Sequence, residues 1–309
     1  MIMTMTKKLS AIGISLVAAA VFATGALAAS GAAKHNKEID WHFNGIAGKY
    51  DKDALQRGFQ VYRQVCAACH SLDLISFRNL GQKGGPYYLE ECPADVPSSV
   101  NCKNPNENPI VKAFASEYVF QDGPDDSGDM FDRPGLPSDR FPNPYPNEQV
   151  ARLANNGALP PDMSLLVKAR HDGANYIYSL LTGYEEPPVE VTVAPGQYYN
   201  PYYPGDMSQL LKEEYLDEEG HVAEGVKIPY GGVFAMKSPL SDGLIDYADP
   251  DTPETVSQYA KDVTEFLMWA AEPKLEERKS LGVVTFIYLL ILTIILYWSY
   301  REIWSRVEH

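Results

Sequence analysis

Residues 51–70 read DKDALQRGFQVYRQVCAACH, and this stretch decides the fold. Leu55, Phe59, Tyr62 and Cys66 recur at i, i+4, i+7 and i+11, the apolar stripe of one helical face, so the spacing predicts an amphipathic helix from Asp51 to Cys66. At its end stands Cys66-Ala67-Ala68-Cys69-His70, a CxxCH motif. Two thiols at i and i+3 share a helical face and can add to the two vinyl groups of a haem, while the adjacent imidazole reaches the iron from the same side. Two other readings compete. A redox-active dithiol wants a strand before it and a helix after it, whereas here the helix precedes. A structural zinc site needs two further ligands at metal spacing, and the remaining cysteines, Cys92 and Cys102, have nine residues between them. The residues favour haem.

A haem iron held by His70 takes a second axial ligand or leaves that position open, and the choice sets the chemistry. Histidine candidates are His35, His42, His171 and His221; methionine candidates are Met130, Met163, Met207, Met236 and Met268. Met268 falls within a predicted helix, Met163 follows Pro160-Pro161, and Met236 lies in the irregular stretch GGVFAMKSP at 231–239. Spacing puts Met236 only slightly ahead of the others, each of which can equally fill a core. Cys92 and Cys102 sit ten apart in a loop rich in Pro and Asn. In an oxidising compartment they are expected to pair, the alternative being two free thiols.

The ends of the chain supply that compartment. Residues 1–30 read MIMTMTKKLSAIGISLVAAAVFATGALAAS, with Lys7 and Lys8 before an apolar run and Ala26-Leu27-Ala28 as a small-residue cleavage site. Residues 1–28 are therefore expected to be a cleaved secretory signal. Leu281 to Tyr300, LGVVTFIYLLILTIILYWSY, is 20 residues without a charge, enough to cross a hydrocarbon core of about 30 Å. Tyr297, Trp298 and Tyr300 suit an interfacial aromatic belt. Basic residues flank the span on both sides, so orientation rests on the export signal. That signal places residues 29–273 outside as the working domain, with 274–309 as the membrane anchor and a short cytoplasmic tail. The expected home is the inner membrane of a bacterium.

Composition narrows the class further. Hydrophobic residues make up 45% of 309 residues, too many for a disordered acidic chain. With Lys+Arg at 26, Asp+Glu at 41 and a net charge of −15, the chain cannot neutralise a phosphate backbone, and nucleic acid is excluded as a partner. Further short helices are predicted over 147–155, stopped by Gly157, and over 172–182, stopped by Gly183. Another is predicted to open at Thr252-Pro253 and to end before Pro273. Val189 to Val193 reads as a strand, but nothing resembles a sheet-based fold. The class is mainly α, with long irregular insertions and one C-terminal transmembrane helix. Glu117 to Asp132 holds six acids and no base, and Asp206 to Glu224 holds seven acids against Lys212. Such runs either steer a basic partner or are solvated loops.

Several segments, taken in order, carry a family resemblance: RGFQVY at 57–62, CAACH at 66–70, ANNGALPPD at 154–162, ARH at 169–171, SLLTGY at 179–184, NPY at 200–202, AKDV at 260–263 and WAAEP at 269–273. The chain resembles the cytochrome c1 family, the haem-bearing membrane subunits of ubiquinol–cytochrome c oxidoreductase, the cytochrome bc1 complex. The resemblance implies a c-type cytochrome domain with one covalent haem c on Cys66 and Cys69, His70 as proximal iron ligand and Met236 as distal ligand. It implies that Arg170 and Tyr176 meet a haem propionate, that Asn155 lies in the pocket wall, and that Pro160 and Pro161 line the pocket. It further implies a dimeric complex with cytochrome b. A Rieske iron–sulfur protein would donate the electron, a soluble periplasmic c-type cytochrome would accept it, and this chain would carry no quinol site. Lys237 after Met236 departs from the more usual Met-Ala/Ser-x-Pro, and the Cys92–Cys102 segment is not present in every member. A membrane-tethered shuttle and a peroxidase-like haem enzyme with an open iron site are the competing functions.

Overall fold

A computed structural model describes residues 33–306; the expected signal segment lies outside the described residues. In chain order the elements are α1 (Lys52–Gln64), α2 (Phe77–Leu80), α3 (Pro109–Ser116), β1 (Val119–Asp122), β2 (Phe131–Pro134), α4 (Glu148–Ala154), α5 (Gly173–Leu181), β3 (Tyr198–Asn200), β4 (Gly232–Phe234), α6 (Val256–Ala271) and α7 (Leu275–Trp304). The chain divides into two compact units, one of 36–182 with 235–306 and the other centred on Gly183–Phe234.

The first unit is organised by α1 and α6. Asp51 caps α1 by accepting from the Ala54 amide, and the helix buries Ala54, Leu55, Gly58, Phe59, Val61 and Tyr62. It faces α6 at Gly58, where a Cβ would stand 2.1 Å from the Asp262 carbonyl oxygen and 2.7 Å from the Phe266 Cβ. Only a residue without a side chain allows the two helices this close. Around the contact, Phe266 lies 5.5 Å from Phe59 and 5.8 Å from Tyr62, ring centre to ring centre. Asp262 is 1% exposed. It accepts from Arg57 Nε at 3.0 Å and Nη2 at 2.9 Å, from the Tyr247 hydroxyl at 2.9 Å and from Gln258 Nε2 at 3.0 Å. A buried carboxylate is tolerable because every direction around it holds a donor.

Two helix boundaries differ from the sequence reading. The helix predicted to reach Cys66 ends at Gln64, and Cys66–Ala68 tightens into a 3-10 turn. The Cys69 and His70 amides then both donate to the Cys66 carbonyl, at 3.1 and 2.9 Å. The last long soluble helix opens at Thr255, whose hydroxyl caps Gln258 N, and not at Thr252. Thr252 instead donates to Asp249 at 2.7 Å, closing the turn before the helix. The helices expected over 147–155 and 172–182 are α4 and α5, with the outer residues serving as caps.

Between α2 and α3, Cys92 and Cys102 are joined by a disulfide, as expected from their compartment, with Cα atoms 5.3 Å apart. Hydrogen bonds from Asn101 N and Asn104 Nδ2 to the Glu107 carboxylate stitch the same loop. An antiparallel hairpin, β1–β2, with Val119 opposite Pro134, carries much of the first acidic run. The unit centred on Gly183–Phe234 has its own small core of Val191, Tyr199, Met207 and Leu211, and the β3–β4 pair. The strand expected over 189–193 reduces to a single bridge, Val191 to Leu211. Pro187 and Pro188 before it and Pro195 after it cannot donate to a ladder, so pairing does not propagate.

Pro273 separates α6 from α7, which runs unbroken through 30 residues, about 45 Å at the helical rise. Its apolar side chains between Leu281 and Tyr300 are exposed, apart from the half-buried Leu292. Among the described residues it is the one helix long and apolar enough to cross a membrane.

Replacing Asp262 by Ala strands Arg57 beside an apolar contact. The expected loss is about 3–5 kcal/mol of unfolding free energy, read from urea denaturation of the detergent-solubilised protein. Reducing the Cys92–Cys102 bond should speed amide hydrogen exchange over residues 81–110 while leaving α1 and α6 as protected as before.

Candidate functional site

The turn after α1 sets Cys66 at the margin of the principal core, where Val65, Cys66, Ala67 and Met236 are all half-buried against it. Burial, with a smaller contribution from neighbouring Cys69, pushes the Cys66 thiol up to about 12. It is therefore a neutral thiol at physiological pH, unlike the low-pKa thiolate that a redox dithiol uses. Cys66 and Cys69 are both unpaired.

His70 is held at both ends. Tyr62 donates its hydroxyl to the His70 carbonyl at 3.2 Å, and the ring Nδ1 lies 2.9 Å from the Pro161 carbonyl oxygen. A carbonyl only accepts, so Nδ1 carries the proton and Nε2 presents its lone pair. Desolvation lowers the imidazole below its ordinary value, the Pro161 contact opposing it, which keeps the ring neutral and able to ligate a metal. The support behind it is dense. The Asp162 carboxylate accepts from Ser71 Oγ at 2.8 Å, Asp73 N at 2.7 Å and Ser164 N at 2.9 Å, while Met163 N donates to the Ser71 carbonyl at 2.9 Å. Burial works to raise Asp162, but the donors of Asp73, Ser164 and Ser71 outweigh it and hold it below the usual carboxylate range. Residues 161–164 thus clamp residues 70–74.

The other residues singled out by sequence fall in distinct places. Pro160 is half-buried and Pro161 exposed; the latter contributes its carbonyl. Tyr176 is buried on α5, and Arg170 is exposed with its guanidinium on the Ala169 carbonyl at 3.2 Å. Lys237 points into solvent. Asn155 caps the C-terminus of α4, donating from Nδ2 to the Ala151 carbonyl at 2.7 Å and to the Tyr145 hydroxyl at 3.1 Å. Donation from Asn155 lowers the Tyr145 hydroxyl, the neighbouring Cys69 sulfur and burial raise it, and the balance is upward. Sequence reasoning passed over Tyr145. The signal was there in Pro142-Asn143-Pro144-Tyr145-Pro146, a run that fixes the backbone about one aromatic residue.

The competing iron ligands are accounted for differently. Met163 is buried two residues from Pro161, on the side that already holds His70, and Met207 belongs to the small core of the other unit. Met130 is exposed. His42 lies 3.0 Å from the buried Glu265 carboxylate, and His221 is exposed beside Asp217 and Glu219.

The donor set fits a covalent haem. Two thiols free of any disulfide stand three residues apart, a neutral imidazole is oriented by a carbonyl, and a half-buried thioether borders the same core. Among the described residues, no three His, Cys, Asp or Glu side chains gather as a metal cluster, so the motif lacks the companions that zinc would require.

Comparison with known proteins agrees with the motif. A model of the cytochrome C1 family matches residues 41–307. The chain is 42% identical to the mitochondrial heme protein cytochrome c1-2 of Solanum tuberosum, over 93% of this chain and 92% of that one. It is likewise 42% identical to the mitochondrial cytochrome c1 heme protein of Saccharomyces cerevisiae, over 89% and 74%. Cytochrome b/c1 of Bradyrhizobium diazoefficiens is 40% identical over 97% of this chain, which spans only 40% of that longer protein. With a family match across nearly its whole length and a two-thiol, one-imidazole turn at the expected place, the chain belongs to the cytochrome c1 family.

Proposed function

We propose that this chain is the electron-transferring subunit of a quinol–cytochrome c oxidoreductase and carries one haem c bound through Cys66 and Cys69. The observation that carries the reading is His70, a neutral imidazole beside two unpaired thiols, its free nitrogen set by the Pro161 carbonyl. Haem c supplies a one-electron iron couple when bound. His70 would be the proximal ligand and Met236 the distal one, a soft neutral thioether that favours ferrous iron and a high potential. Pro160 and Asn155 would wall the pocket, and Arg170 and Tyr176 would meet the propionates. The protein is a single-pass inner-membrane protein with this domain on the periplasmic side.

The neighbours follow from the family. A Rieske iron–sulfur protein would deliver the electron and a soluble c-type cytochrome would remove it, with cytochrome b beside the anchor in a dimeric complex. The alignment with a protein named cytochrome b/c1 supports the association with cytochrome b. The acidic runs at 117–132 and 206–224 would draw in a basic carrier and let it go again, because surface charge attraction speeds encounter more than it strengthens the complex.

The foot of the anchor bears on the competing shuttle. Lys279 Nζ donates to the Phe43 and Gly48 carbonyls at 2.5 and 3.2 Å. Tyr50 donates its hydroxyl to the Met268 and Glu272 carbonyls at 3.2 and 3.1 Å, and its amide to Glu276 at 3.1 Å. Glu272 pairs with Lys168 at 3.1 Å and with Arg278. A shuttle needs a loose tether to travel; this helix is bolted to its domain on three sides. The fixed mount favours a subunit that stays in place.

The haem reading predicts that the mature protein keeps one haem through acid–acetone extraction, with a matching mass increase. Met236→Leu nearly conserves volume, so it should fold. It should lose the thioether–iron absorption band, bind carbon monoxide and drop in potential; an unchanged six-coordinate spectrum would assign the distal position elsewhere.

Burial acts to raise Glu272, but hydrogen bonds from Arg278 and Lys168 prevail and lower it. A carboxylate depressed in the folded state stabilises above its unfolded pKa, about 4.3, and that contribution fades as pH falls through the folded value. Acidification below about pH 4 should therefore raise protease sensitivity at residues 43–50 and 272–279. In Glu272→Gln that pH dependence should be absent.

Neutralising four or more acids within 122–132 or 206–224 should slow association with a basic c-type cytochrome at low salt. Stopped-flow traces should converge with those of the parent as ionic strength rises.

A further inference from the structure

His70 and the carbonyl that orients its ring are 91 positions apart in sequence, and no helix or strand ties the two segments together. Residues 71–75 are turn and coil between α1 and α2, and residues 160–170 are turn and coil between α4 and α5. Pro160 and Pro161 have no amide proton, so neither can donate a bond that would hold the pair in place. Whatever fixes the Pro161 carbonyl acts through the residues that follow. Asp162 comes next, and three donors converge on its carboxylate. Oδ2 accepts from Ser71 Oγ at 2.8 Å and from the Asp73 amide at 2.7 Å, and Oδ1 accepts from the Ser164 amide at 2.9 Å. The first two cross between the segments. The third folds the turn so that the buried Ser164 hydroxyl accepts from the Leu74 amide at 3.0 Å. The donors are neutral and the acceptor is charged, which makes these bonds stronger than neutral ones. A side-chain amide could not repeat the set, because its NH2 would face a backbone N–H at either end.

We propose that Asp162 is the positioning residue for the His70 imidazole: it pins residues 162–164 to residues 71–74 and so holds the Pro161 carbonyl against Nδ1. The inference rests on the haem reading above, and it gives Asp162 a part in setting the potential of the iron without touching it. An imidazole whose Nδ1 proton is held by a carbonyl is the stronger donor through Nε2, and a stronger donor favours ferric iron. Loosening the strap weakens that hydrogen bond, weakens the ligand and moves the couple toward ferrous. The negative charge of the carboxylate favours ferric iron as well, so a shift in potential alone does not separate position from charge. The Nδ1 proton does, because its exposure to solvent reports where the carbonyl stands.

The test uses the full-length, haem-loaded protein in detergent, reduced, with isotopically labelled histidine so that the His70 Nδ1 proton is followed by NMR during exchange into heavy water. Asp162→Asn should keep its covalent haem by mass spectrometry and leave the amides of α1 and α6 as protected as in the parent. Its Nδ1 proton should exchange about tenfold faster, the equivalent of one lost hydrogen bond. Its equilibrium with a fixed redox mediator should move about threefold to tenfold toward the reduced form, at most about 59 mV for one electron. Ser71→Ala removes one of the three donors and leaves the carboxylate charge in place; it should speed Nδ1 exchange about threefold. Parental Nδ1 exchange in Asp162→Asn overturns the proposal even if the potential moves, since the carboxylate would then act as a charge alone. Faster exchange throughout α1 and α6 overturns it too, because the role would be general stability. Should Asp162→Asn fail to accumulate, Ser71→Ala decides by the same measurement: parental exchange overturns the proposal. A parent protein without covalent haem would instead overturn the functional reading beneath it.

Discussion

The contact of Gly58 with the backbone of Asp262 is the constraint on which the rest of the principal unit depends. It brings α1 and α6 to a separation that no side chain at position 58 would allow. Two features are fixed by that separation. The C-terminal end of α1 delivers Cys66, Cys69 and His70, and the C-terminal end of α6 delivers Glu272 and the start of the membrane helix. The helix crossing therefore ties the motif that would hold the haem to the element that enters the bilayer. Aromatic rings from both helices, Phe59, Tyr62 and Phe266, then fill the space on either side of the close approach.

A chain with 41 acidic residues has to dispose of its carboxylates, and it does so in two ways. Beside Asp162 at the candidate site, three that hold α6 or its end sit in or against the folded interior, each with named donors. Asp262 has Arg57, Tyr247 and Gln258, Glu265 has His42 and the Asp51 amide, and Glu272 has Lys168 and Arg278. These acids join parts of the chain distant in sequence, and each joins α6 or its end to something else. Many others collect on exposed loops such as the β1–β2 hairpin, where Asp125, Asp126 and Asp129 face water. The interior acids build the mount; the surface acids shape the field that a charged partner meets.

Much of this was legible from residues 51–70 and from the two ends. An apolar stripe, a CxxCH and a 20-residue uncharged run are local patterns, and local patterns survive folding. The disulfide was legible too, since compartment and count left those cysteines one partner each. What escaped were features settled by tertiary partners. Thr252 and Thr255 both suit a helix cap, and Asp249 decided between them by taking the Thr252 hydroxyl. Val189 to Val193 has strand composition, but the prolines around it leave one bridge. Tyr145 lies 76 positions beyond Cys69 in sequence, and no periodicity links them; only the turn after α4 brings Asn155 to the phenol. The β1–β2 hairpin was hidden because its strands are four residues each and its loop is dominated by Gly and Asp.

How the anchor is attached bears on what kind of electron carrier such a chain can be. A carrier can move to its partners or wait for them. Moving requires a tether whose ends are uncorrelated, and flexible linkers achieve this with Gly- and Ser-rich sequence. Between α6 and α7 there is instead Glu272-Pro273-Lys274, and the junction is closed by Lys279 and Tyr50, which tie it to residues 43–50, and by Lys168 and Arg278, which hold Glu272. Any tilt of the membrane helix has to break several of these contacts together, so the height of Cys66 above the bilayer is set by protein geometry. On the functional reading proposed above, both partners must then come to the haem. The donor does so from within the assembly, and the acceptor by diffusion toward an acidic surface. A rigid foot and a charged periphery are complementary answers to one requirement: a redox centre that does not travel has to be found.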